Sequence, residues 1–267
     1  MGVGLLSDAK EKIASVLSFQ PVWQDLAPSL DLMARIEEFS ECDAGPRVFV
    51  AYGEPGCGMT MALSRHFSSA ALHSVWLGAK LLGTKATLYD RLARYMGVYN
   101  ACHKLDRLPK YLLRMLELRR VRMIYVDDVD QFMLDRMAAE SFIADIALLA
   151  RSSPTLQFVL SMKLSRANVE RSSLLKSLHC VTHNVQDLSG VNSRELALAM
   201  LKELNELNGT TITLVGEVSL WHPPARGLGE LVDWVKLSFA TAWITEKQID
   251  PHASYQKLWK VLDDFFE

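Results

Sequence analysis

An α/β fold, a parallel sheet with helices on both faces followed by a smaller helical lid, is predicted by three observations. Short apolar runs alternate with helical patterns between Val48 and Val185, as a parallel sheet covered on both faces requires. The first run enters a glycine-rich turn, Gly53-Glu54-Pro55-Gly56-Cys57-Gly58-Met59-Thr60, that leads into a helix. From Asn192 onward the strands stop and the pattern becomes helical.

Each element follows from its residues. Leu30 to Phe39 places Leu32, Met33, Ile36 and Phe39 at helical spacing, with Asp31, Arg35, Glu37 and Glu38 opposite. Val48 to Tyr52 reads as a short buried strand, and Ser74–Leu77, Met123–Val126 and Gln157–Met162 as three more, with Val181–Val185 as a fifth. Helical patterns lie between them at Thr60–Ser69, Thr87–Met96, Leu108–Leu118 and Ala138–Ala150. The tail offers Arg194–Leu207, Leu228–Ala242 and Tyr255–Phe266, interrupted by Asn208–Thr213 and by the turn His222-Pro223-Pro224. The expected division is an N-terminal helical segment over 1–40, a phosphate-loop core over 41–191, and a helical lid with a C-terminal helix over 192–267.

Composition sets the class. The chain has 267 residues, 49% hydrophobic and 22% charged, which fits a soluble globular protein and not a disordered one. A net charge of -2 gives no global attraction to nucleic acid, so any such binding needs a local patch. Cys42, Cys57, Cys102 and Cys180 show neither pairing nor metal-type spacing, as expected in a reducing compartment. Met1 to Ser18 mixes charged with apolar residues and reads as neither signal peptide nor membrane span, so a cytoplasmic location and no membrane partner are expected. His179, Cys180 and His183 have no fourth ligand near in sequence and read as structural.

The glycine turn has the spacing of a phosphate-binding loop. Gly53 and Gly58 let a strand turn sharply into a helix, so that successive backbone N–H groups face one anion-sized hollow. Gly56 belongs to the same cradle, and Thr60 keeps the hydroxyl that would bind Mg²⁺. Met59, however, stands where a lysine would neutralise the β- and γ-phosphates. Loss of one such positioned donor costs roughly 3 kcal/mol of transition-state stabilisation. Binding of ATP and Mg²⁺ is therefore compatible with the loop, and efficient hydrolysis is not expected. Arg65, Lys163 or a neighbouring subunit's basic residue would have to compensate in a working ATPase.

A second motif lies in Met123-Ile124-Tyr125-Val126-Asp127-Asp128, an apolar strand ending in two carboxylates. Asp127 is placed to hold Mg²⁺ through water, and Asp128 stands where a glutamate would polarise the attacking water. Aspartate is one methylene shorter, a further weakening of hydrolysis.

With Arg35-Ile36-Glu37-Glu38, the glycine loop, the Asp127/Asp128 strand, the strand containing Ser161 and the helical tail, the chain resembles the AAA+ ATPase subunits of transposons, the TniB/TnsC/MuB group, over roughly Asp31 to Thr245. The likeness is greatest to short TniB-like proteins. It implies an AAA+ phosphate-loop sheet with a helical lid, and an oligomer on duplex DNA that recruits or activates a transposase beside a target-selection protein. It also implies that Gly53, Gly56, Gly58 and Thr60 cradle phosphate, Asp127 serves Mg²⁺, Asp128 replaces the catalytic glutamate, and Ser161 stands near the sensor position. Lys176 is the basic residue found where an arginine reaching a neighbour's nucleotide is expected, with Arg166 or Arg171 as alternatives, and Arg226 is the candidate sensor arginine of the lid. The departures imply a degenerate ATPase with a structural or regulatory role, as a homo-oligomer or with an active paralogue. The alternative is a pseudo-ATPase adaptor that binds no DNA.

Lys104, Arg107, Lys110, Arg114, Arg119, Arg120 and Arg122 face only Asp106 and Glu117 within 104–122. Arg107, Lys110 and Arg114 recur at helical spacing and form a candidate face for the phosphate backbone, without sequence specificity. The same pattern also suits a solvated helix whose basic residues complement its dipole. Trp221, Trp234, Trp243 and Trp259 read as core of the tail, and Leu258, Val261, Leu262, Phe265 and Phe266 as the apolar face of a docked terminal helix.

Overall fold

The computed structural model describes residues 2–19, 26–42, 45–78, 87–98, 109–131, 136–163, 168–169, 172–186, 190–215 and 227–266. Contacts divide the chain into two compact units, Ala27–Gln186 and Met1–Leu26 with Asp187–Glu267.

The first unit contains a sheet built of β1 (Val48–Tyr52), β2 (Ser74–Gly78), β3 (Met123–Asp127), β4 (Gln157–Met162) and β5 (Val181–Asn184). Its strand order is β2-β3-β4-β1-β5, with every neighbouring pair parallel. All five expected strands are present, with ends that shift by no more than a residue. The described helices of this unit are α2 (Ala27–Ser40), α3 (Met59–Ser69), α4 (Leu88–Tyr95), α5 (Lys110–Leu118), α6 (Arg136–Ser152) and α7 (Ser173–Ser177); α1 (Gly2–Ser18) belongs to the second unit.

Register explains how the faces differ. Residues paired across a parallel ladder share a face, and side chains alternate along each strand. Val50, Leu160, Val126 and Leu77 align across four strands and join an apolar core with Leu92 of α4, Leu112 of α5, Ile146 of α6 and Leu175 of α7. The alternate set, Trp76, Tyr125, Val159 and Phe49, lies on the other face. There Phe67 of α3 meets Trp76 and Tyr125, and Phe39 of α2 meets Phe49. The connection from β1 to β2 crosses the sheet in one direction and the later connections cross it in the other. Right-handed crossovers therefore place α3 and the later helices on opposite faces.

The second unit holds α1, α8 (Gly190–Asn208), α9 (Leu228–Thr245) and α10 (Tyr255–Phe266). Ile13 and Val16 of α1 are buried with Leu201, Leu204, Trp234, Phe239, Leu258 and Leu262 in one core. Trp234 donates its indole N–H to the carbonyl of Ala253 at 3.0 Å. The expected segment 1–40 is thus divided: α1 groups with the C-terminal helices, whereas α2 buries Leu32, Ile36 and Phe39 in the sheet unit. Leu258 and Leu262 are buried as expected, while Trp259 is about half exposed and Trp221 lies outside the described residues. Among the described residues no helix is long and apolar enough to cross a membrane.

Candidate functional site

β1 and β4 are neighbours whose outgoing connections pass to opposite faces of the sheet. Such a pair opens a crevice at the carboxyl ends of its strands, where ligands of open α/β sheets bind. The glycine turn follows β1 at this point. Its first residue, Gly53, donates its backbone N–H to the carbonyl of Met162 at the end of β4, at 3.3 Å. A Cβ added to Gly53 would lie 2.8 Å from the Val185 carbonyl oxygen and 3.0 Å from the Cys57 sulfur, so glycine is dictated by close packing. Gly56 and Gly58 are dictated by conformation, with φ of 87° and 85° in the left-handed region. Gly58 caps α3, and its carbonyl accepts the first helical bond from Ala62 at 3.0 Å.

On the α3 side of the crevice, side chains from three elements converge. Thr60 donates its hydroxyl to Asp127 Oδ1 at 3.2 Å. Ser161 donates its hydroxyl to the same carboxylate oxygen and accepts the backbone N–H of Asp128 at 2.9 Å. Ser161 is fully buried and Asp127 nearly so. Burial holds the Asp127 carboxyl above the ordinary carboxylate range, and the Ser161 and Thr60 hydrogen bonds oppose that rise. Asp128 adopts a left-handed backbone, φ 56°, which is uncommon for a side-chain-bearing residue. Its carboxylate pairs with Lys163 Nζ at 2.7 Å, and that hydrogen bond raises the lysine above its usual value. The Lys163 backbone N–H in turn donates to Asp130 at 3.2 Å.

The residues present fit a Mg²⁺ nucleotide in two respects. The left-handed turn of Gly56 and Gly58 leads into the N-terminus of α3, an arrangement suited to an anion, and a hydroxyl and a carboxylate, Thr60 and Asp127, meet as hard oxygen donors of the kind Mg²⁺ takes. The fit is incomplete in charge: Met59 is 4% exposed and carries no cation. No cluster of three or more His, Cys, Asp or Glu side chains suited to a metal occurs among the described residues. His183 instead pairs with Asp31 at 3.4 Å and stacks on Phe49.

The remaining sequence candidates are dispersed. Lys176 is exposed on α7. Helix α5 begins at Lys110, after Pro109, and presents exposed Lys110 and Arg114; Arg114 pairs with Glu117 at 3.1 Å. Lys104, Arg107, Arg166, Arg171 and Arg226 lie outside the described residues.

One group escaped sequence reasoning. His66 of α3 is buried, with Nδ1 2.6 Å from the Tyr125 hydroxyl and Nε2 3.2 Å from Glu37 of α2. Burial lowers its pKa, with the Glu37 carboxylate opposing. The signal was its place on the inner stripe of α3, after Met59, Ala62 and Leu63 at helical spacing.

No protein-family model and no curated protein sequence matches this chain. Solved structures do. Domain III of the Thermotoga maritima replication initiation protein DnaA is similar at 13% identity and a TM-score of 0.53, covering 90% of this chain and 93% of its own. Cdc6p from Pyrobaculum aerophilum is similar at 12% identity and a TM-score of 0.54, covering 94% and 70%. The Aeropyrum pernix Orc1 protein, solved in complex with DNA, is similar at 14% identity and a TM-score of 0.52, covering 93% and 68%. At these identities the likeness concerns the fold alone, a parallel α/β sheet with a helical C-terminal part.

Proposed function

We propose that this protein is a TniB/TnsC-like AAA+ transposition regulator that oligomerises on duplex DNA and recruits or activates a transposase, with ATP hydrolysis impaired or absent. The observation that carries the reading is the contrast within one crevice. The left-handed glycine turn and the Thr60–Asp127–Ser161 cluster are present together, whereas Met59 is apolar and buried and Asp128 is held by Lys163. Such a site suits retention of a nucleotide as a structural element better than its turnover.

Gly53, Gly56 and Gly58 would hold the phosphates, and Thr60 and Asp127 the Mg²⁺, which when bound supplies charge neutralisation between the phosphates. Ser161 keeps the Asp127 carboxylate oriented, and Lys176 is the candidate for reaching the nucleotide of a neighbouring subunit. The transposon assignment is supported by the sequence resemblance. The DNA assignment is supported by analogy with a similar fold solved in complex with DNA, an argument from fold alone, and by the basic residues of 104–122. A target-selection protein and an active paralogue are the further partners this reading expects.

The test is affinity for random duplex DNA across a salt series, with and without ATP and Mg²⁺. Salt-sensitive binding that ATP strengthens is expected. Replacing Lys110 and Arg114 together by alanine should flatten the logarithmic salt slope by about 0.9 for each phosphate that is no longer neutralised. Absence of binding under every condition would favour an adaptor that does not bind DNA.

A further inference from the structure

We infer that Lys163 is the phosphate-binding cation of this site, taking the charge role that Met59 leaves empty. The inference rests on the reading of the glycine loop as a nucleotide site, and it names the residue that lets that site hold a polyanion.

The position of Lys163 is the first argument. It immediately follows Met162, whose carbonyl accepts the N–H of Gly53, so the lysine leaves β4 beside the first residue of the phosphate cradle. It does so at the mouth of the β1/β4 crevice, the switch point of the sheet. Its backbone is fixed by the bond to Asp130, while its side chain is 40% exposed and its ammonium rides on a flexible four-carbon stem.

Charge is the second argument. Asp127, Asp128 and Asp130 all bear on the Lys163 ammonium. A crevice lined by these carboxylates repels a triphosphate unless a cation offsets them. Met59 contributes none. In the structure Lys163 lies against Asp128 at 2.7 Å, an arrangement that keeps the ammonium at the crevice and neutralises the residue in the water-activating position. The ammonium carries three N–H donors, so it can bind a phosphate oxygen while it keeps its bond to Asp128, with no covalent step involved.

The experiment is titration of a fluorescent ATP analogue with Mg²⁺ into the full chain and into Lys163→Gln, Met59→Lys and the double variant. Circular dichroism and thermal melting confirm folding of each. The wild type should bind, and Lys163→Gln should weaken binding about tenfold or more, the scale of a single hydrogen bond to a charged group. Met59→Lys should restore the double variant to near the wild-type level, a rescue that a purely structural role for Lys163 would not show. Unchanged binding by Lys163→Gln overturns the inference, as does a loss that Met59→Lys fails to rescue. Binding by Met59→Lys but not by the wild type would also overturn it while leaving the glycine loop a nucleotide site. Binding by neither would overturn the nucleotide site itself.

Discussion

The two faces of the sheet are built from alternate residues of the same strands, yet they differ in kind. The face under α4, α5, α6 and α7 is apolar throughout β1, β3 and β4, with Val50, Val126, Phe158 and Leu160 at most 2% exposed. The face under α2 and α3 carries buried polar groups along the same strands: Gln157, which donates to the Phe39 carbonyl at 2.9 Å, then Tyr125, Asp127 and Ser161. Parallel register is what brings these together, because the pairing of Tyr125 with Val159 sets Asp127 beside Ser161 one alternation further on. One face supplies cohesion and the other supplies the site. Each of these four polar groups has a partner, as burial demands.

The largest expected effect comes from the apolar face. Phe158→Ala removes a fully buried ring and should cost about 3–5 kcal/mol in urea denaturation, acting on the fold with no selective effect on Mg²⁺ or nucleotide. If nucleotide affinity falls while stability holds, the division between the faces is wrong. On the site face, Ser161→Ala removes the donor to Asp127 and orphans the Asp128 N–H. A loss of about 1–3 kcal/mol is expected, accompanied by weaker Mg²⁺-dependent nucleotide binding. Equal affinity in the variant would reduce Ser161 to a packing residue.

The smallest effects concern pH, and they have opposite signs on the two faces. His66, under α3, is kept below its usual 6.5 by burial, so its contribution to stability is present above about 6.5 and lost as pH falls through the folded value. Asp145 of α6 is pushed up to about 6 by burial, so its contribution is present below 3.8 and lost as pH rises through about 6. Urea midpoints measured from about pH 4 to about pH 8 should lose their acid-side decline in His66→Gln. In Asp145→Asn the loss on the rising side should disappear instead. Identical pH profiles for wild type and both variants would remove titration from the comparison.

Much of this was legible in the chain. Apolar or β-branched runs bounded by turn and charged residues located the five described strands, since strands of a parallel sheet covered on both faces are predominantly apolar. The glycine spacing located the sharp turn from β1 into α3. His66 was not legible, because a histidine on a helical stripe becomes a buried partner only when a strand places Tyr125 beneath it. The pairing of Asp128 with Lys163 was equally hidden, because its two members lie at the ends of different strands.

By itself the sequence determined the strands, the conformation of the glycine turn and the absence of a lysine at Met59. These are local properties, set by periodicity, by φ and by side-chain chemistry. Tertiary structure alone decided that β1 lies between β4 and β5, and with it where the crevice opens. It also decided that α1 joins the C-terminal helices, because an amphipathic helix with Ile13 and Val16 on its stripe is committed to a core but not to which one. Strand order fixes which loop ends meet. Lys163, in the sequence one of the basic residues that could stand in for the missing lysine, acquires its carboxylate partner when β4 is laid against β3 and its place beside the glycine turn when β4 is laid against β1.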